Sequence, residues 1–198
     1  MKIPAPITLE SKRLQLVPLN ETHVPSMFEY SCKPEFYEHM EGLPHKNIEE
    51  TRAYFYRLME FVASGALYWA IVKKDINKVI GTIGIRNIDH ECLSGDIGMG
   101  LSPDFWNQGI AKESMFLAID YFFNVLSFKQ ISSLTSSKNH SSYKLISFLG
   151  YHNYKVLTNH YKKHNGTSYD AISAVLTRDN FNNNPDLKDY AKNWIYDR

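Results

Sequence analysis

Hydrophobic and polar positions change period several times along the chain, and each change marks an element. Arg13 to Pro18 alternates apolar and polar residues, the spacing of a strand with one covered face. Asn20 or Thr22 can cap a short helix running to about Tyr30, with Pro25 in its first turn. The turn-rich stretch SCKPEFYEHMEGLPHK follows. Asn47 and Glu50 have the spacing of a capping box, and the helix behind them puts Ile48, Thr51, Phe55, Leu58, Met59 and Val62 on one face. Three strands come next, Leu67 to Lys73, Val79 to Ile88 and Cys92 to Leu101, joined by turns tight enough for an antiparallel meander. A helix carries Met115, Phe116, Ile119, Phe122, Phe123 and Leu126 as its apolar stripe. A strand from Gln130 to Ser136 leads to a helix from about Ser141 to Leu149, with Gly150 placed as its C-terminal stop. Tyr151 to Tyr161 and Thr167 to Thr177 read as a hairpin turning through Asn165-Gly166. After the loop Asn182-Asn183-Asn184 and Pro185, residues Leu187, Tyr190, Ala191, Trp194 and Ile195 recur at helical spacing. That stripe docks on this domain, or on the second subunit of a homodimer.

The order is α+β, with a meander and one strand–helix–strand crossover whose strands should be neighbours or near neighbours. One domain over residues 1–178, with an extension over 179–198, accounts for the 198 residues.

Composition narrows function mainly by exclusion. With 43% hydrophobic and 22% charged residues the chain has an ordinary globular make-up. A net charge of +1 gives no field to draw it to nucleic acid or to a membrane surface. The most apolar helix candidate, Met115 to Leu126, is too short to span a bilayer and holds Asp120. Cys32 and Cys92 are far apart, without metal-ligand spacing, which points to a reduced cytosolic setting and no metal.

Chemistry concentrates between Cys92 and Glu113, CLSGDIGMGLSPDFWNQGIAKE. A glycine-spaced strand passes Pro103 and enters a helix through Asn107-Gln108-Gly109-Ile110-Ala111. The N–H groups opening a helix have no partner within it, and the helix dipole puts partial positive charge there. Such a turn is suited to an anion, and a glycine in it lets backbone approach closely.

Four stretches carry a family resemblance. Leu9-Glu10-Ser11-Lys12-Arg13-Leu14, with Leu19, resembles the opening T-x-R-L-x-L-R-x-L of the GNAT superfamily of acetyl-CoA-dependent N-acetyltransferases. Ile80-Gly81-Thr82-Ile83-Gly84-Ile85 resembles its I-G-x-I-G-L strand. Asp96-Ile97-Gly98-Met99 through Trp106-Asn107-Gln108-Gly109-Ile110-Ala111-Lys112-Glu113 resembles E-I-G-Y followed by Y-W-G-K-G-I-A-T-E. Asn139-His140-Ser141-Ser142 to Leu149-Gly150-Tyr151 resembles N-x-x-S followed by L-G-F. Together they span about residues 9 to 177 in order, and the match is nearest to the RimJ/RimL-type branch, which acetylates protein N-terminal amines and small amines. Asn107 stands where that branch has glycine, Asp96 replaces Glu, Met99 replaces Tyr, and Ile146 occupies the place of a tyrosine acid, with Tyr143 a turn away.

The resemblance implies a mixed, mostly antiparallel twisted sheet with splayed central strands, flanking helices, and acetyl-CoA lying in the opening. It implies that backbone N–H groups from Gln108 through Gly109, Ile110 and Ala111 to Lys112, with Trp106 and Asn107 in the same turn, cradle the pyrophosphate. Strand backbone at Met99, Gly100 and Leu101 then pairs with the pantetheine arm and supplies an oxyanion donor. Asn139 bonds the pantetheine amide, since it offers donor and acceptor. Asp96 is the candidate base, acting through a water. Ser142 is placed to steady the departing thiolate, or else caps its helix. Glu35, Glu38 and Glu41 lie in one wall of the acceptor groove and would share a face if that segment were helical. Neither cysteine falls where the resemblance puts the acetyl group, so direct attack in a ternary complex is expected. The acceptor classes are a protein α-amine first, then a small amine such as a polyamine, amino sugar or antibiotic. A CoA-binding module without turnover is the competing reading.

Overall fold

The computed structural model describes residues 4–163 and 166–194. Among the described residues, eight strands form one sheet: β1 (Leu9–Glu10), β2 (Leu14–Pro18), β3 (Leu67–Lys73), β4 (Lys78–Asp89), β5 (Ser94–Leu101), β6 (Gln130–Ser136), β7 (His152–Lys162) and β8 (Ser168–Thr177). Their spatial order is β1-β2-β3-β4-β5-β6-β8-β7. All neighbours pair antiparallel except β5 and β6, which run parallel because the connection between them is a helical crossover. The expected meander is β3-β4-β5, and the crossover strands are direct neighbours.

Helices cover both faces. On one, α1 (Val24–Ser31) and α2 (Ile48–Ala63) pack with Val24, Met27, Phe55 and Leu58 against Tyr68, Ala70 and Val72 of β3. On the other, α3 (Ile110–Asp120) and α4 (His140–Leu149) close over Leu14, Leu16, Trp69, Ile71, Ile83, Ile85 and Ile97. The alternation of β3 explains the division: Leu67, Trp69 and Ile71 belong to the second core, Tyr68, Ala70 and Val72 to the first.

The six stripe residues Met115 to Leu126 are all buried, as their spacing requires. They do not lie on one uniform α-helix. From Tyr121 to Val125 the helix widens to a π turn, with Leu126 N–H donating to Tyr121 O at 3.0 Å. Phe122 stacks on Phe128 at 4.2 Å, and the Phe128 N–H reaches Phe122 O at 3.1 Å, so the widened turn keeps both rings in the core.

Local capping departs from the sequence expectation in small ways. Asn20 caps a 3₁₀ turn, Glu21–His23, that precedes α1. Asn47 accepts from Glu50 N–H at 3.0 Å, but the Glu50 carboxylate returns to Lys46 N–H rather than to Asn47. Helix α4 begins at His140 with Asn139 as its cap and ends at Gly150. A short helix, α5 (Arg178–Asn183), occupies the region read as tail and loop. Asn184 then caps α6 (Pro185–Trp194), accepting from Asp186 N–H at 3.0 Å. The terminal stripe docks on this domain: Leu187 is buried, and Tyr190 stands beside Phe116 and Phe148. Ile195 and the Asn165 of the hairpin turn lie outside the described residues; β7 and β8 pair antiparallel as that turn requires.

One polar contact pins β2 to α3. Glu113, in the first turn of α3, has no exposed side-chain surface. Arg13 donates to it through Nε at 2.8 Å and Nη2 at 2.5 Å, and the Ser11 hydroxyl donates to its other oxygen. Arg13 Nη1 also reaches Gln108 O at 3.1 Å, one residue before the helix cap. Removing one member of a buried pair strands the other. Arg13→Met should therefore lower unfolding free energy by roughly 3–5 kcal/mol. The double variant Arg13→Met/Glu113→Gln should recover much of that loss in urea titrations.

Candidate active site

The sheet opens at its one parallel junction. Strands β5 and β6 pair at Ser94↔Gln130, Gly95↔Ile131, Asp96↔Ser132 and Ile97↔Ser133, and then part. Beyond the fork, β5 stays paired with β4 as far as Gly81↔Leu101, while β6 stays paired with β8 as far as Ser136↔Ala171. One edge of Gly98, Met99, Gly100 and Leu101 is thereby left without a strand partner. A free strand edge is a row of N–H and C=O groups ready for an extended amide-bearing ligand.

Past Leu101 a 3₁₀ turn, Pro103–Phe105, leads to Trp106, whose indole N–H donates back to Leu101 O at 2.9 Å. Two left-handed residues then redirect the chain. Asn107 has φ 59° and Gly109 φ 76°. Asparagine is among the few side chains that enter this region readily, so the place of a glycine is filled without breaking the turn. Gly109 is the cap of α3, and Glu113 N–H closes onto its carbonyl at 3.1 Å. Among the described residues, the N–H groups of Ile110, Ala111 and Lys112 have no backbone acceptor, as the start of a helix dictates. Gln108, Gly109 and Asn107 are exposed beside them. The donors, the helix dipole and the bare Gly109 backbone fit a pyrophosphate. The Lys112 ammonium turns away, resting 3.6 Å from the Phe148 ring centre and 5.5 Å from that of Tyr190.

Asp96 sits inside the fork, at the last paired position but one. Its Oδ1 accepts from the Ser132 hydroxyl and its Oδ2 from Asn87 Nδ2 at 2.7 Å. Across β4 it faces Arg86. The Tyr151 hydroxyl is buried nearby, with no hydrogen-bond partner among the described residues. Burial first, and the Asp96 charge second, push that phenol well above its ordinary range.

Asn139 caps α4 with its side-chain oxygen, accepting from Ser142 N–H at 3.0 Å. The cap is thus not Ser142, whose half-buried side chain stands in the third helical position. His140 is exposed, as expected. Ile146 is core, and the exposed Tyr143 packs on Tyr154 with ring centres 5.5 Å apart.

The connection before α2 reaches the fork from the opposite face. Only Pro34–Tyr37 is helical, as a 3₁₀ turn, with Glu38 N–H closing on Glu35 O. Glu35 and Glu38 are exposed one turn apart. Glu41 leaves that face and accepts from Lys162 N–H at 3.2 Å. Phe36 comes down on β5: a Cβ at Gly100 would stand 2.7 Å from its ring. A Cβ at Gly84 would strike Tyr68, whereas one at Gly98, the residue paired with Gly84 and two before Gly100, would meet nothing within 4 Å. The strands therefore carry a trough at Gly98, walled by the two aromatic rings and ending at Asp96.

Several of these features were absent from the sequence reading. Arg13 and Glu113 appear in the matched motifs, yet nothing local shows that they meet. Asn87, Ser132 and Tyr151 converge on Asp96 only through sheet register, which no single-sequence period specifies. Among the described residues no group of three His, Cys, Asp or Glu side chains could hold a metal, and no helix is long and apolar enough to cross a membrane.

Comparison with known proteins agrees with this geometry. The chain is 28% identical over 172 residues to the uncharacterized N-acetyltransferase p20 of Bacillus licheniformis, covering 86% of this chain and 96% of that one. Solved structures that share the fold include a ribosomal-protein-S5-alanine acetyltransferase from Vibrio fischeri, with TM-score 0.76, 20% identity and coverage of 89% of this chain and 99% of that one. They also include a spermidine N-acetyltransferase from Vibrio cholerae in complex with CoA and spermine, with TM-score 0.75, 15% identity and coverage of 86% and 99%. Residues 13–152 match the family described as acetyltransferase (GNAT) domain, and the chain belongs to that family.

Proposed function

We propose that this protein is a RimJ/RimL-type N-acetyltransferase that moves acetyl from acetyl-CoA to a primary amine by direct attack in a ternary complex. A protein N-terminal α-amine is its first acceptor class. The observation that carries this reading is the fork: a free β5 edge and a helix-opening turn lie on one side, and a trough ending at a carboxylate lies on the other.

Acetyl-CoA supplies the activated acetyl group as a thioester. The turn from Trp106 and Asn107 through Gln108, Gly109, Ile110 and Ala111 to Lys112 holds its pyrophosphate with backbone N–H groups. Met99, Gly100 and Leu101 hold the pantetheine arm along the β5 edge and direct an N–H at the oxygen that gains negative charge. Asn139 spends its oxygen on the α4 cap, so its NH₂ is the group left for a pantetheine carbonyl. The Ser142 hydroxyl steadies the sulfur as the C–S bond breaks. The acceptor nitrogen lone pair forms the new C–N bond, and its proton leaves through a water toward Asp96, which Ser132 and Asn87 hold in place. An α-amine has a pKa near 8 and is partly neutral at pH 7, so a modest base suffices. Glu35 and Glu38 stand at the acceptor side, where their charge attracts a cationic substrate.

The test is CoA release, followed with a thiol reagent, from acetyl-CoA across peptides with free N-termini, spermidine and amino sugars. Turnover on peptides alone supports the reading. Turnover only on small amines moves the acceptor to that class, and binding without release on any amine leaves a CoA-binding module. Asp96→Asn should lower kcat by about 10²-fold at pH 7, with the loss shrinking as pH rises and the acceptor deprotonates unaided. Gly109→Val should weaken acetyl-CoA at least tenfold, by roughly 1.4 kcal/mol or more, in calorimetric titration. Glu38→Lys should raise the KM for a cationic acceptor and leave acetyl-CoA affinity unchanged.

A further inference from the structure

Lys163 follows the last residue of β7, yet its ammonium is engaged by the connection before α2. It donates to Tyr37 O at 2.7 Å, Glu38 O at 2.8 Å and Met40 O at 2.6 Å. An ammonium has three protons, and three carbonyls take them all. Beside it, the backbone N–H of Lys162 donates to Glu41 Oε1. Charge-assisted bonds of this kind are stronger than neutral ones. Three of them converging on four consecutive residues fix a segment whose internal backbone bonds, among the described residues, are the 3₁₀ closures Phe36 to Lys33, Glu38 to Glu35 and Met40 to Tyr37.

The place of the contact gives it meaning. Phe36 stands on Gly100, at the β5 side of the fork. Lys162 pairs with Ser168 where β7 ends and β8 begins, and Ala171 of β8 pairs with Ser136 at the far end of β6. Residues 36–41 therefore run from β5 to the β7–β8 tip across the ends of the two strands that part. A loop spanning the fork closes the acceptor side only while its far end is held. We propose that Lys163 is that hold: a positioning residue which latches the acceptor wall over the fork and sets the affinity for the amine. This rests on the reading above that residues 34–41 line the acceptor groove.

The latch touches neither the pyrophosphate turn nor Asp96, so its loss should separate the two substrates. Lys163→Met should raise acceptor KM about tenfold, keep kcat within about twofold and leave acetyl-CoA affinity unchanged. Lys163→Arg keeps charge and donors but presents them in a plane, so its acceptor KM should fall between wild type and Lys163→Met. Hydrogen exchange on the full chain should quicken at the Phe36, Glu38 and Met40 amides in Lys163→Met, with the α3 amides unchanged. An unchanged acceptor KM, an equal loss of acetyl-CoA affinity, or unchanged exchange in the wall would each overturn the latch while leaving acetyl transfer intact. Wild-type protein silent on every amine would overturn the acetyltransferase reading and the latch together.

Discussion

A carboxylate without exposed surface, Glu113, ties the segment before β2 to the turn that opens α3. A buried charge is tolerated only where its partners replace water, and here they come from about a hundred residues earlier in the chain: the Ser11 hydroxyl and the Arg13 guanidinium. Position adds to the pairing. Glu113 is in the first turn of its helix, where the dipole favours negative charge. Arg13 extends the contact by bonding Gln108 O. The carbonyl of the turn is thereby drawn toward β2, which leaves the N–H groups of the following residues as the turn's free polarity. The family's opening Arg-Leu pair and its turn motif are thus two ends of one polar contact, with Leu14 buried in the core below.

With the turn fixed, the fork follows from how far parallel pairing can run. The crossover places β5 and β6 side by side for four residues, after which β5 is claimed by β4 and β6 by β8. Closing the sheet further would pair the free β5 edge with β6 and remove the unpaired N–H and C=O groups between them. Gly98 and Gly100 of β5 serve the face toward α1 and α2. Gly100 accepts the Phe36 ring, and a Cβ at Gly98 would meet nothing within 4 Å, so an aromatic wall and an open trough follow one another along one strand. Period-two geometry makes this alternation possible: residues 96, 98 and 100 share a face, and the carboxylate of Asp96 closes its end.

What could be read in the sequence tracks the range of the interaction. The stripe Met115 to Leu126, the meander and the Gly150 stop depend on near neighbours, and their residues stand where spacing put them. The widening at Tyr121 depends on Phe128, beyond the stripe, and no helical period contains it. Short helix α5 was hidden because its six residues bury only Phe181, too few to make a stripe. Most of the turn at Asn107 to Lys112 was legible, since a left-handed asparagine, a glycine and a helix start are local chemistry. The surroundings of Asp96 were not, because Asn87, Ser132 and Tyr151 arrive from three different elements. Glu41 illustrates the same limit: at i+3 spacing it reads as one of three equivalent glutamates, but a backbone N–H on β7 takes it out of the set.

Asn139 shows how a helix cap can leave a second polar group uncommitted. Capping α4 requires only an oxygen, which aspartate, serine or threonine would supply equally well. The capping bond to Ser142 N–H uses that oxygen and leaves the amide NH₂ to point elsewhere. Aspartate would keep the helix while replacing this donor with a negative charge, and serine would keep it with a hydroxyl too short to serve both directions. Capping alone therefore does not select asparagine here; the pantetheine contact proposed above would. The same cap places Ser142 in the first turn of α4 with its hydroxyl not spent on the helix start. Cap, donor and hydroxyl are thus set by a single local bond, and the helix that carries them is anchored through its buried face, Ile146 and Leu149, in the core that α3 shares.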